Sequence, residues 1–207
     1  MQVQENIREE HVADAIYVYR NALSDELCDG IWNFYYENFE STEPGRTVGG
    51  NDPNIKKTRD FYNTDNLFPT AEVGQKYLEL NDEVYRSLRV ATRMYMEKYD
   101  WLQKCPNLMD TGYLWQGYKK GEGFYQEHID GENWTPVSRE RVLAIVIYIN
   151  TVQEGGHTFF RHQGVSVKPE KGSVCIFPTH WSYPHQAMVP LSEDKLIISS
   201  FVVTPQN

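Results

Sequence analysis

The spacing of apolar positions along this chain changes near residue 106. Before that point they recur every three or four residues. Ser24 can cap a helix, Asp25 and Glu26 follow where a helix N-terminus favours negative charge, and Leu27, Ile31, Phe34 and Tyr35 return at helical spacing. The spacing predicts a helix over about 25–39. A longer stripe, Val73, Tyr77, Leu80, Val84, Leu88, Ala91, Tyr95 and Tyr99, predicts a second helix from the cap Thr70 through about Gln103. That stripe reads as core. Residues 1–20 mix charged and apolar side chains, with Ile16-Tyr17-Val18-Tyr19 as a short strand.

After Cys105-Pro106 the period is strand-like. Segments 113–118, 124–130, 142–149, 158–161, 164–168, 173–177, 184–189 and 195–203 read as strands, most of them separated by turn residues. Many short strands after two helices give a mainly β (α+β) chain, a sandwich or jelly roll braced by N-terminal helices. Helical support takes up about 1–110 and the β core about 111–205. Between the helices, residues 41–69 lose all periodicity, and Gly, Pro and Asn break regular structure. This stretch holds the densest positive charge, Lys56-Lys57-Thr58-Arg59, and reads as a solvated loop or as a lid over a substrate.

A chain of 207 residues is expected to form one domain, and 14 Tyr, 9 Phe and 5 Trp suit a compact core. The net charge of -9 gives no general attraction to nucleic acid or anionic membranes. No apolar run approaches a membrane span, and residues 1–6 lack the pattern of a signal peptide, so a cytoplasmic location is expected. Cys28, Cys105 and Cys175, odd in number and far apart, read as reduced packing residues.

The candidate chemistry starts at His128-Ile129-Asp130. In a strand, His128 and Asp130 point to one side and Ile129 to the other. An imidazole and a carboxylate from one strand, with one further histidine, make the 2-His-1-carboxylate set of non-haem Fe(II) oxygenases, which leaves coordination positions open. His11 sits among charges, and His157 and His162 flank Thr158-Phe159-Phe160, leaving His180 or His185 as the third ligand. His185 is preferred, because Lys195 opens an apolar strand ten residues later, and a cation entering apolar walls needs an anion. A chelating diacid would offer its far carboxylate there.

From Trp115 to Val203 the chain resembles the prolyl 4-hydroxylase-type branch of the Fe(II)/2-oxoglutarate-dependent dioxygenases. The resemblance rests on features in order. Tyr118 precedes His128-Ile129-Asp130; then come Tyr148-Ile149-Asn150, Gly155-Gly156-His157-Thr158-Phe159-Phe160, Val167-Lys168-Pro169-Glu170-Lys171-Gly172 and Phe177-Pro178. His185 and Lys195 close the series. The resemblance implies a double-stranded β-helix, Fe(II) held by His128, Asp130 and His185, and 2-oxoglutarate paired with Lys195 and lined by Tyr118, Tyr148 and Thr158. It further implies O2 as oxidant, ascorbate as a reductant, and hydroxylation of a C–H bond with release of succinate and CO2. A prolyl residue of a peptide or protein is the leading substrate, ahead of a free amino acid or other small molecule, another protein side chain, or an alkylated nucleobase, which the acidic balance disfavours. A barrel with a broken triad would be a binding module, but no ligand is missing here. Arg161, Trp134 and Trp181 are the candidate substrate contacts.

Overall fold

The computed structural model describes residues 6–62, 68, 70–105, 107–131 and 141–204. Two helices occur where the apolar stripes place them. In α1 (Asp25–Glu37), Ser24 Oγ accepts from the Leu27 amide at 3.2 Å, and Asn38 Nδ2 returns to the Phe34 carbonyl at the other end. In α2 (Ala71–Met96), Thr70 caps the start by accepting from the Val73 amide. Its buried face is Tyr77, Leu80, Val84, Leu88, Ala91 and Tyr95.

The helix expected to reach Gln103 instead stops at Met96, and a short α3 (Asp100–Lys104) follows. The break at Tyr99, which is extended, comes where Lys98 reaches Glu9 at 2.6 Å and lies over the Tyr17 ring. None of the described helices is long and apolar enough to cross a membrane.

Among the described residues the strands form two sheets. The larger contains, in spatial order, β1 (Arg8–Ala13), β2 (Ile16–Arg20), β12 (Ser173–Pro178), β9 (Arg141–Tyr148), β14 (Lys195–Val203), β7 (Leu114–Tyr118), β5 (Arg59–Phe61) and β3 (Glu43–Pro44). A short β6 (Met109–Asp110) pairs with the end of β14. The smaller contains β11 (Val165–Val167), β10 (Thr158–Phe160), β13 (His185–Ala187), β8 (Phe124–His128) and β4 (Lys56–Lys57). Every pairing is antiparallel.

The helices cover one face of the larger sheet, where Phe34, Phe61, Tyr77 and Trp115 form an aromatic cluster. Its polar tips are satisfied: Trp115 Nε1 donates to Asn81 Oδ1 and Tyr77 Oη to the Tyr113 carbonyl. The other face turns toward the smaller sheet and a second cluster that includes Tyr118, Val146, Tyr148, Phe160 and Phe177.

Residues 41–69 are only partly the loop that their composition suggests. Residues 43–44, 56–57 and 59–61 pair into the sheets, and Lys56, Thr58 and Asp60 are buried. In an extended run these three alternate residues share one side, and it faces inward. An internal ion pair between Lys56 and Asp60, at 2.7 Å, removes the usual objection to burying charge. The alternation is therefore present in the sequence, written in polar residues. Residues 63–67 and 69, part of the stretch expected as a loop or lid, lie outside the described residues.

Candidate metal centre and its cavity

β8 and β13 lie side by side with His128 opposite His185. Asp130 follows β8 two residues on and faces both rings. His128 Nε2 is 3.6 Å from Asp130 Oδ1, and His185 Nε2 is 3.5 Å from Asp130 Oδ2. One donor atom from each of the three residues can be chosen so that all lie within 4.8 Å of one another.

The tautomers follow from the far sides of the rings. His128 Nδ1 donates to the Gln126 carbonyl at 2.8 Å, and His185 Nδ1 to the Tyr183 carbonyl at 3.1 Å. With Nδ1 carrying the proton, the Nε2 of each ring turns toward the carboxylate. Burial, reinforced by the neighbouring His185, holds His128 well below the ordinary imidazole range, at about 3. Two lone pairs and a carboxylate thus converge, and no described side chain comes within hydrogen-bond distance of that carboxylate as a donor. A divalent cation is the partner this donor set lacks, and nitrogen with carboxylate oxygen suits iron.

The turn after Asp130 is fastened from the larger sheet. Arg141 Nη1 donates to the Asp130 carbonyl at 3.1 Å, and the Gly131 amide donates to the Thr179 carbonyl at 2.8 Å. A Cβ at Gly131 would meet Thr179 Oγ1 at 2.8 Å, so the two segments touch there.

A cavity opens between the sheets from these residues to Lys195. Lys195 is 1% exposed; its Nζ donates to the Gly156 carbonyl at 2.8 Å and sits 4.0 Å from the centre of the Tyr118 ring. No described carboxylate pairs with it. Burial alone lowers its pKa to about 7. Gly155 and Gly156 both adopt positive φ, +72° and +67°, and a Cβ on Gly155 would meet the Val189 carbonyl oxygen at 2.3 Å. That tight turn aims the Gly156 carbonyl at the lysine.

Tyr118 and Thr158 line the cavity as the sequence suggests. Tyr148 stands behind Thr158, oxygen to oxygen at 2.8 Å, and so reaches the cavity only through that hydroxyl. Arg161 is outside it, exposed and paired with Glu127 at 3.0 Å. Trp181 is 73% exposed, and Trp134 lies outside the described residues. His180 is exposed and bonded to Ser182, which leaves His185 as the histidine at the centre.

Gln116, Tyr125, Ser199 and Phe201 also line the cavity and were missed in the sequence. For Gln116, Ser199 and Phe201 the signal was available, because they fall in step with Tyr118 or Lys195 along their strands. Tyr125 had no such signal. It is three residues from His128, which ordinary alternation puts on the opposite face. The pairing shifts between His185 and Ala187, whose partners are His128 and Tyr125. One extra residue in β8 therefore brings Tyr125 round to stack on His128, with centroids 3.6 Å apart and planes 18° from parallel.

Residues 113–203 match the family described as the 2OG-Fe(II) oxygenase superfamily. No curated protein matches the sequence. Among solved structures, the chain resembles a viral collagen prolyl hydroxylase of Paramecium Bursaria Chlorella virus-1 in complex with 2OG. That match has a TM-score of 0.64 and 17% identity, and covers 95% of this chain and 100% of that one. A Pseudomonas putida prolyl-4-hydroxylase matches with a TM-score of 0.63 and 19% identity over 91% of this chain and 92% of that one. A Trichoplax adhaerens prolyl hydroxylase in complex with a hypoxia inducible factor peptide fragment gives 0.65 and 14%, over 91% and 83%. At these identities the likeness is one of fold.

Proposed function

We propose, from the match of residues 113–203 to the 2OG-Fe(II) oxygenase superfamily, that this chain is a 2-oxoglutarate-dependent dioxygenase hydroxylating a prolyl residue of a peptide or protein. The described residues act as one oxygenase domain, the two sheets forming a double-stranded β-helix with α1 and α2 bracing the larger. The observation that carries the reading is the pairing of two features in one cavity. Among the described residues, two imidazole lone pairs and a carboxylate meet without a donor between them, and a buried ammonium nearby meets no carboxylate.

His128, Asp130 and His185 would hold Fe(II). Bound iron, with O2 and 2-oxoglutarate, supplies the oxidising power to place one oxygen atom in a substrate C–H bond, the co-substrate leaving as succinate and CO2. The chain's own residues hold and shield these reagents. Lys195 receives the far carboxylate of 2-oxoglutarate, giving up its bond to the Gly156 carbonyl for a charged partner. The Thr158 hydroxyl, oriented by Tyr148, and Tyr118 lie where further oxygens of that carboxylate can be bonded. Ala144, Val146, Ile197 and Phe201 form the apolar wall that keeps water from the reacting groups. The Nδ1 bonds of both histidines fix their rings before any ligand arrives.

The prolyl substrate is supported by the neighbours in fold, three of which are prolyl hydroxylases. Exposed Trp181 and the surface Arg161–Glu127 pair are the side chains offered to an extended peptide. The test supplies Fe(II), 2-oxoglutarate and a set of proline-containing peptides. It follows succinate release and the gain of one oxygen atom by mass spectrometry. Asp130→Ala should abolish both. If the native protein with Fe(II) neither binds nor consumes 2-oxoglutarate, the reading is wrong. If succinate forms but no proline peptide gains oxygen, only the substrate is wrong.

A further inference from the structure

The buried Lys56–Asp60 pair is used by nothing described so far. Lys56 is 3% exposed and Asp60 0%, and Nζ lies 2.7 Å from Oδ2. Replacing such a pair by apolar side chains is often neutral or stabilising, so stability gives weak grounds for it. Its position is more informative. Lys56 lies in β4 of the smaller sheet and Asp60 in β5 of the larger, so the pair closes the corner where the chain crosses between sheets. Lys56 is the cross-strand partner of Tyr125, and its Nζ sits 5.3 Å from the centre of that ring. The same Tyr125 ring stacks on His128.

We propose that the Lys56–Asp60 pair is a positioning device for the metal-ligating ring of His128, acting through the ring of Tyr125; the inference rests on the reading of His128 as a ligand. Two restraints then act on the imidazole. Its edge is held by the Gln126 carbonyl, and the Gln126 amide is itself bonded to the Ile55 carbonyl at 2.8 Å. Its face is held by Tyr125, which the Lys56 ammonium attracts. Both restraints lead back to residues 55–56.

The ammonium is itself confined. Asp60 Oδ2 also accepts from Tyr62 Oη at 3.2 Å, and Tyr62 Oη accepts from the Arg46 amide at 2.6 Å. A Cβ at Gly45 would meet Lys56 Cε at 3.0 Å and Thr58 Oγ1 at 2.0 Å, so backbone packs directly on the lysine stem. A lysine with no freedom to swing fixes the ring beside it.

The experiment measures Co(II) affinity, by its visible absorption and with no substrate or turnover, in the native protein and variants. Outer partners of metal ligands commonly change affinity by about 10–100-fold, and about tenfold weakening is expected for Lys56→Met and for Tyr125→Leu. The double variant should be no weaker than either single one, since both break the same chain of contacts. Tyr125→Phe should keep native affinity, because the ring and not its hydroxyl does the positioning. Lys56→Met strands a buried carboxylate, so Lys56→Met/Asp60→Leu removes the pair together; it should melt like the native protein yet bind Co(II) about tenfold more weakly.

Native affinity in that double variant, or additive losses in Lys56→Met/Tyr125→Leu, would overturn the proposal. His128→Ala separates the two levels. If it binds Co(II) as the native protein does, the reading of the centre falls and this inference with it. If it loses binding while the pair-deleted variant does not, the inference alone falls.

Discussion

The two faces of β9, β14 and β7 share one backbone and one hydrogen-bond ladder, yet their interiors differ. Toward the helices β14 presents Leu196, Ile198 and Val202, β9 presents Leu143, Ile145 and Ile147, and β7 presents Trp115. Toward the smaller sheet the same strands present Lys195, Ser199 and Phe201, Ala144 and Val146, and Gln116 and Tyr118. The buried helix side of these strands is apolar apart from Ser200, whose hydroxyl has no partner among the described residues and lines a cavity between α2 and the sheet. The cavity side holds a lysine at 1% exposure. Period-two alternation lets one strand serve both needs. A side chain moved by one residue would exchange roles, so register is strongly specified here.

If that division is real, substitutions at adjacent positions should fail in different ways. The largest effect is expected at Lys195. Lys195→Met should weaken 2-oxoglutarate binding by about 100–1,000-fold, the loss typical of removing one partner of a buried charge pair. Its melting temperature should not fall, because among the described residues the ammonium it removes meets a carbonyl and an aromatic face but no carboxylate. Calorimetric titration and thermal melting read the two quantities separately. Three residues on, Ile198→Ala should do the reverse. It should lose about 2–5 kcal/mol in urea unfolding and leave 2-oxoglutarate affinity unchanged.

A smaller effect sharpens the electrostatic side. Burial lowers the pKa of Lys195 to about 7, from 10.5 for an ordinary lysine. Between those values the unfolded chain holds a proton that the folded chain lacks, so this group's contribution to stability rises with pH across that window. A dianion at the site favours the ammonium, and binding above 7 must therefore take up a proton. Affinity for 2-oxoglutarate should fall about tenfold per pH unit above 7, and Lys195→Arg, which stays charged, should flatten the profile. The smallest effect is on the helix side. Tyr35 Oη donates to the Arg59 carbonyl at 2.8 Å, where α1 touches β5. Tyr35→Phe should cost about 1 kcal/mol in stability and leave the pH profile of binding as it was.

Most of the elements could be read from residue spacing. Segments 195–203 and 173–177 lie on observed strands, because buried central strands need near-continuous apolar residues and leave a clear pattern. His128, Asp130, His185 and Lys195 were also legible: two sit at strand spacing, and a lysine opening an apolar strand is conspicuous in any sequence. Residues 56–61 were hidden, because an ion pair in three dimensions made inward-facing charges acceptable. Spacing carried no signal for the surroundings of Arg161, which the fold pairs with Glu127 at the surface, outside the cavity.

The sequence alone thus determined the strand alternation, the capped helices and which side chains had chemistry to offer, since those depend on neighbours one to four residues away. The tertiary structure decided which of them meet. Only the fold pairs His128 with His185 across 57 residues of chain. It also turns Tyr125 onto His128 through a shift in register, and joins Lys56 to Asp60 across two sheets. Those contacts depend on how strands from distant parts of the chain pair, and no local period encodes that.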